Sequence, residues 1–203
     1  MATAPGWPVS LSSGDVGVRP LRLRDTVAWV EVRQANEAWL APWEGAPARL
    51  GPPTASWAER HTAGVFAVML RQLRAEARGG RCLPFAVTWQ GRFVGQVTVS
   101  GIVRGAFDSA AVGYWVDGRH AGRGIVPTAL GLVVDHCFGP VGLHRIEANV
   151  RPENTASRRV VEKLGFREEA LHLRYLHIDG AWRDHVGYAL TDDRPNPSLR
   201  PTP

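Results

Sequence analysis

The sequence predicts a mixed α/β fold, a mostly antiparallel sheet with helices on both of its faces. Three observations carry this expectation. Short alternating segments between turn residues cluster from Leu83 to Val116. Apolar residues at helical spacing occur both before that cluster and after it. Beyond it, strand and helix patterns alternate almost to the end, and two helical layers can then cover one sheet. With 203 residues, 44% of them hydrophobic, the chain suits one domain with a substantial core.

In order along the chain, residues 1–13 and 193–203 are rich in Pro, Ser and Gly and are expected as flexible tails around a domain spanning 14–192. "VGVRPLRL" alternates like a strand, and a short helix follows from about Asp25. "NEAWLAPW" starts a second helical turn that Pro42 interrupts. The pattern from Thr54, a plausible N-cap, to Arg78 predicts one long amphipathic helix with Trp57, Val65, Val68, Met69 and Leu73 on its buried side. Gly79 and Gly80 stop it. "LPFAVTW" and "RFVGQVTVSGI" flank Gln90-Gly91 and read as a hairpin, with "SAAVGYWV" as a third strand. Val126, Leu130, Val133, Val134 and Cys137 then mark a helix that tolerates Pro127 in its first turn. "HRIEANV" is a strand, "TASRRVVEKLGF" a short helix closed by Gly165, and Leu171–Ile178 and Trp182–Leu190 are two strands joined at Asp179-Gly180.

Composition excludes several function classes. The formal charge is +5, but Lys163 is the only lysine among 24 basic residues and the arginines are scattered, so a nucleic-acid surface is not indicated. No apolar run approaches the roughly 20 residues of a membrane helix, and the opening "MATAPGWPVS" lacks a secretion-signal pattern. Cys82 and Cys137, far apart in apolar surroundings, read as buried thiols of a reducing compartment, and cytoplasm is the expected location. The seven histidines are dispersed without ligand spacing, so no metal is expected.

The segment "DGRHAGRGIVPTAL", Asp117–Leu130, lies between a strand and a helix. It lacks the lysine of a nucleotide P-loop, and Pro127 stands where a dinucleotide fingerprint needs its third glycine. Arg119-x-x-Gly122-x-Gly124 remains. Glycines allow a tight backbone approach to an anion, the following helix adds its positive dipole end, and Arg119 and Arg123 add charge. Taken alone, the same residues would also make a solvent-exposed turn with basic decoration.

The segments "YWVDGRHAGRGIVPTAL", "HRIEANVRPENTASRRVVEKLGF" and "DGAWRDHVGYAL", in this order, resemble the GCN5-related N-acetyltransferase (GNAT) superfamily, and within it the branch that acetylates the N-terminal alanine of ribosomal proteins. The resemblance implies a sheet whose central strands, here Ala110–Val116 and Arg145–Val150, splay apart to admit the pantetheine arm of acetyl-CoA. It implies that Arg119, Gly122, Arg123, Gly124 and Ile125 cradle the pyrophosphate. The backbone of Trp115 and Val116 would pair with the pantetheine and aim one N–H at the thioester carbonyl. Asn154 would bind pantetheine and Ser157 would face the sulfur; on a helix starting near Asn154 the two share a face, and Asn154 also suits an N-cap.

For the proton-accepting base, Glu147 in "HRIEANV" is the first candidate, although an ion pair with an arginine accounts for it equally. Glu44 is the second, because relatives place the acceptor beside an L-x-P-W segment, here Leu40 to Trp43. Tyr175 and Asp184 are weaker, and the glutamate that some relatives carry near Tyr175 or Leu176 is absent. Trp39, Trp43 and Trp57 could wall an acceptor pocket or pin a helix to the sheet, packing being the simpler account. The expected reaction is direct acetyl transfer to a primary amine, a protein N-terminus or else a small amine. The competing reading is a non-catalytic acyl-CoA-binding module.

Overall fold

The fold, taken from a computed structural model, is described for residues 4–45 and 55–193; Thr54 and the C-terminal tail from residue 194 lie outside them. Eight strands form a single sheet: β1 (Leu11–Ser13), β2 (Val16–Pro20), β3 (Cys82–Trp89), β4 (Arg92–Val103), β5 (Ser109–Val116), β6 (Arg145–Val150), β7 (Arg167–Ile178) and β8 (Ala181–Thr191). Their spatial order is β1-β2-β3-β4-β5-β6-β8-β7. Every neighbouring pair is antiparallel except β5 and β6, which run parallel. The expected turns are present at Gln90-Gly91 and Asp179-Gly180, each with both residues at positive φ.

The helices are α1 (Thr26–Ala35), α2 (Glu37–Leu40), α3 (Trp57–Arg60), α4 (Ala63–Arg78), α5 (Ile125–Phe138) and α6 (Thr155–Lys163). They cover both faces. On one, Leu130, Val133 and Cys137 of α5 and Val161 of α6 pack on Val97, Val99, Val112 and Ile146. On the other, Trp29 of α1 and Phe66 and Leu70 of α4 pack over Leu21 and Ala86. Both cysteines are free and buried, and burial pushes each thiol up to about 12.

Two expectations are corrected. The long helix of residues 54–78 is two helices, because Ser56 caps α3 in a reciprocal box with Glu59, and Thr62 caps α4 separately. The break rotates the buried stripe of α4 onto Phe66, Leu70 and Ala77 and leaves Val65 and Val68 exposed. Residues 4–13, expected as a loose tail, are ordered onto the domain. The Trp7 ring meets Phe85 edge-on at 5.0 Å, Ala4 is buried, and Leu11–Ser13 pairs with β2. Short apolar residues among Pro and Gly hid that packing from a composition reading.

The feature that positions the site is an opening in the sheet. β5 and β6 pair only at Ser109–Arg145, Ala110–Ile146 and Ala111–Glu147. Past that point β5 continues along β4 to Val116, while β6 continues along β8 to Val150. The expected splay is therefore a wedge whose apex lies at Ala111 and Glu147.

Candidate active site

Strand alternation decides which peptide groups face the wedge. The N–H of Asp117 donates to the Val94 carbonyl on β4 at 2.8 Å. Residues at odd positions of this stretch therefore turn their peptide groups to β4, and Val116 and Tyr114 turn theirs into the wedge. This sharpens the expectation for Trp115 and Val116: the Trp115 peptide belongs to the β4 ladder. The half-buried Trp115 ring packs against the α1–α4 cluster, edge-on to Phe93 at 5.9 Å, with the Arg33 guanidinium 5.1 Å above it.

The glycine loop starts at the same strand end. Gly122 and Gly124 both have φ of +76°, and among the described residues a Cβ on either would meet nothing within 4 Å. Glycine is thus required by backbone conformation, and the space beside it is open. Gly124 occupies the N-cap of α5, so no side chain caps that helix, and buried Ile125 follows as its first residue. Uncapped N–H groups beside open space fit an anion such as a pyrophosphate.

The basic residues of the loop divide their work. Arg119 donates through Nε and Nη2 to the Asp117 carboxylate at 2.9 and 2.6 Å, so its charge is largely answered within the protein. Asn36 Nδ2 donates to the same carboxylate at 3.0 Å and its Oδ1 accepts from the Gly118 N–H at 2.8 Å. Burial works to raise the Asp117 pKa, but hydrogen bonds from Arg119 and Asn36 prevail and hold it below its usual value. Arg119 is therefore a brace, while Arg123 lies over the Trp89 ring at 5.1 Å.

On the other lip, Asn154 caps α6 by accepting the Ser157 N–H at 3.0 Å. The Ser157 Oγ lies 2.7 Å from the Tyr114 hydroxyl, a partner that sequence reasoning missed. Strand alternation was the available signal, since Tyr114 stands two residues from buried Val112 and Val116 on the face that α6 covers.

A strap closes the wide end. Trp39 Nε1–H donates to the Val116 carbonyl at 3.0 Å, tying α2 to β5. Three residues on, Arg151 of the β6–α6 connection donates to the Pro42 carbonyl at 2.9 Å and lies over the Trp43 ring at 5.4 Å. Trp39 and Trp43 thus border the wedge. Trp57 does not; it is 3% exposed and pins α3 by donating to the Arg33 carbonyl at 2.7 Å.

Behind the strap sits a charged cluster. Glu44 pairs with Arg33 and, at 3.5 Å, with Arg60. Arg33 is caged by the rings of Trp29, Trp57 and Trp115 at 5.7, 5.0 and 5.1 Å, and burial followed by Arg60 lowers its pKa to about 10. His61 Nδ1 faces the Trp57 carbonyl at 2.8 Å, which fixes the proton on Nδ1 and leaves Nε2 to accept from Arg33 at 2.7 Å. Burial, then the Arg33 charge, lowers the His61 pKa to about 4, so the ring is neutral.

Glu147 stands at the apex, and its Oε1 accepts from Arg145 Nε at 2.8 Å; Arg145 also bonds Glu169. A cavity of about 90 Å³ adjoins it, lined by Asn149, His172 and Gly187 among others. The weaker candidates serve elsewhere. Asp184 accepts the Arg174 N–H at 2.7 Å to close a strand irregularity, and Tyr175 stacks on His172 at 4.9 Å.

A sheet parted between two parallel strands, with an uncapped glycine-led helix on one lip, is the arrangement that the resemblance to acyl-CoA-dependent transferases implied. A family model for the acetyltransferase (GNAT) domain matches residues 15–167, and the chain belongs to that family of acyltransferase enzymes. The probable N-acetyltransferase YjcK of Bacillus subtilis is 46% identical over 99 residues, 49% of this chain and 55% of that protein. The [ribosomal protein uS5]-alanine N-acetyltransferase of Escherichia coli is 29% identical over 185 residues, 90% of this chain and 91% of that one. Among solved structures, Mycobacterium smegmatis RimJ in complex with CoA-disulfide matches with a TM-score of 0.89 at 46% identity, covering 97% of this chain and 93% of that chain.

Proposed function

We propose that the protein transfers acetyl from acetyl-CoA directly to the N-terminal amine of a protein of the ribosomal kind, in the cytoplasm. The observation that carries the reading is the wedge: the Val116 and Tyr114 peptide groups face it, and it lies between the uncapped start of α5 and the first turn of α6. The acceptor class is supported by the likeness to the uS5-alanine acetyltransferase, which extends over nearly the whole chain.

In such a transfer a C–N bond forms at the acetyl carbon while the C–S bond breaks, its electron pair leaves on sulfur, and the amine gives up one proton. Gly122, Arg123, Gly124 and Ile125 would hold the pyrophosphate, with Arg119 bracing them through Asp117. The Val116 N–H would meet the negative charge developing on the carbonyl oxygen. Ser157 would donate a hydrogen bond to the departing sulfur, and the positive end of α6 favours negative charge there. Glu147 would take the proton, directly or through water. Glu44, shared between Arg33 and Arg60, suits a wall of the acceptor entrance with Trp43 better than it suits a base.

The test is to incubate the protein with acetyl-CoA and a panel of peptides beginning with alanine or serine, alongside small amines, and follow thiol release. Peptide-dependent release is expected. Release only with small amines would move the acceptor class. Calorimetric binding of acetyl-CoA without release for any acceptor would favour a binding module, and no binding would overturn the reading altogether.

A further inference from the structure

Tyr114 and Ser157 stand on opposite lips of the wedge, one on β5 and one in the first turn of α6. Their hydroxyl oxygens are 2.7 Å apart, and the Tyr114 hydroxyl also lies 3.1 Å from the Ser157 carbonyl. The phenol has a single proton, so two arrangements compete. In the first, Tyr114 donates to Ser157 Oγ, and the serine proton is free to turn elsewhere. In the second, Tyr114 donates to the carbonyl, and the serine proton must point back at the phenol.

The distances choose between them. A separation of 2.7 Å is an ordinary hydroxyl–hydroxyl hydrogen bond, whereas 3.1 Å exceeds the usual range for an O–H donor. The first arrangement therefore dominates. A donated hydrogen bond also polarises the acceptor's own O–H, which makes it a better donor in turn. The phenol stays protonated throughout the physiological range, because burial pushes its pKa up to about 12.

We infer that Tyr114 is a positioning residue of the transfer reaction, which by donating to Ser157 Oγ turns the serine proton into the wedge toward the departing sulfur. This rests on the acetyltransferase reading above. Tyr114 never touches the reacting atoms; it acts through Ser157. Without the phenol, the serine hydroxyl is free to bond the carbonyl of Asn154 or Glu153, three or four residues back at the start of α6, as serines in helices do.

The experiment is a double-mutant cycle of Tyr114→Phe and Ser157→Ala in the full chain, with kcat and KM read for both substrates. Tyr114→Phe keeps the ring and is expected to lower kcat about five- to tenfold, the worth of one directed hydrogen bond. The KM for acetyl-CoA is expected to stay within about twofold, as for an interaction made only during transfer. Adding Tyr114→Phe to Ser157→Ala is expected to cost nothing further, since the phenol has then lost the group it directs. An unchanged kcat in Tyr114→Phe, or losses that multiply in the double variant, would overturn the inference while leaving the parent reading intact. Wild-type protein that binds acetyl-CoA but transfers to no acceptor would remove both. A thermal melt of each variant separates a kinetic loss from a folding loss.

Discussion

Two segments at the open end of the wedge, the glycine loop and the strap, are held by different means. The glycine loop is largely local: Asp117 and Arg119 are two residues apart, and its conformation is written into the φ angles of Gly122 and Gly124, with Asn36 tying Asp117 and Gly118 from 81 and 82 residues away. The strap across the wide end is assembled from distant segments, with Trp39 reaching Val116 over 77 residues and Arg151 reaching Pro42 over 109. The glycine loop, proposed to hold the donor, thus depends on backbone shape, which few substitutions preserve. The strap, proposed to border the acceptor, depends on side chains, which can change while the backbone persists. That difference suits one constant donor and acceptors that vary between relatives.

Substitutions can break or sharpen this contrast. The largest effect is expected from Arg33→Leu, which leaves Glu44 and His61 behind the strap without their shared cation. Losing one partner of a mostly buried ion pair costs about 3 kcal/mol, read as a drop in denaturant stability. Acetyl-CoA affinity should hold; if it falls with stability, the loop and the strap are not independent. A comparable effect comes from pH. His61 in the folded protein has a pKa of about 4, below its ordinary value, so the unfolded chain takes up the proton first. Stability is then fully present above about pH 6.5 and declines as pH falls toward 4, by roughly 3 kcal/mol from this residue. His136 and His185, also lowered by burial, add to the decline. Denaturant midpoints at several pH values should show a shallower fall in His61→Gln.

In the glycine loop, Gly124→Ala forces an L side chain to a φ of +76° and should cost about 1–2 kcal/mol. The loss should appear as roughly tenfold weaker acetyl-CoA binding by calorimetry. Gly142→Ala, at a φ of +69° far from the loop, is the control and should lose stability without losing affinity. The smallest effect belongs to Trp39→Phe, which removes one hydrogen bond to the Val116 carbonyl. About 1 kcal/mol is at stake, read as a severalfold change in KM for the peptide acceptor.

The same contrast explains what the sequence made legible. The strands, the hairpin turns and the glycine loop follow from alternation and local backbone chemistry, and those elements occur at the expected places. The order of the motifs, through the family it resembles, also anticipated the splay between Ala110–Val116 and Arg145–Val150. Side-chain networks were another matter. Nothing in the spacing of Asn36, Asp117 and Gly118 announces that they meet, and Arg33 inside a cage of three indoles is one arginine among many. Glu44 is an example: beside Pro42-Trp43 it reads as an acceptor-site residue and second candidate base, and nothing in that spacing shows its pairing with Arg33 and Arg60. The helix break at His61 was missed for a different reason, because two competing caps, Ser56 and Thr62, stand within one apolar stretch.

The parting of β5 from β6 has a further consequence for how this sheet meets other chains. A strand with open peptide groups normally lies at the rim of a sheet, where it invites strand addition and aggregation. Here such a rim is placed in the middle of the molecule. The indole of Trp39 takes the Val116 carbonyl, and Arg151 bonds Pro42 across the wide end, so part of that open edge is already occupied from within the molecule. Under the proposed function, the open peptide groups of Tyr114 and Val116 would meet the amide groups of the pantetheine arm where a sheet rim would meet another strand. The fold would thus turn a hazard of β-structure into a place for the co-substrate.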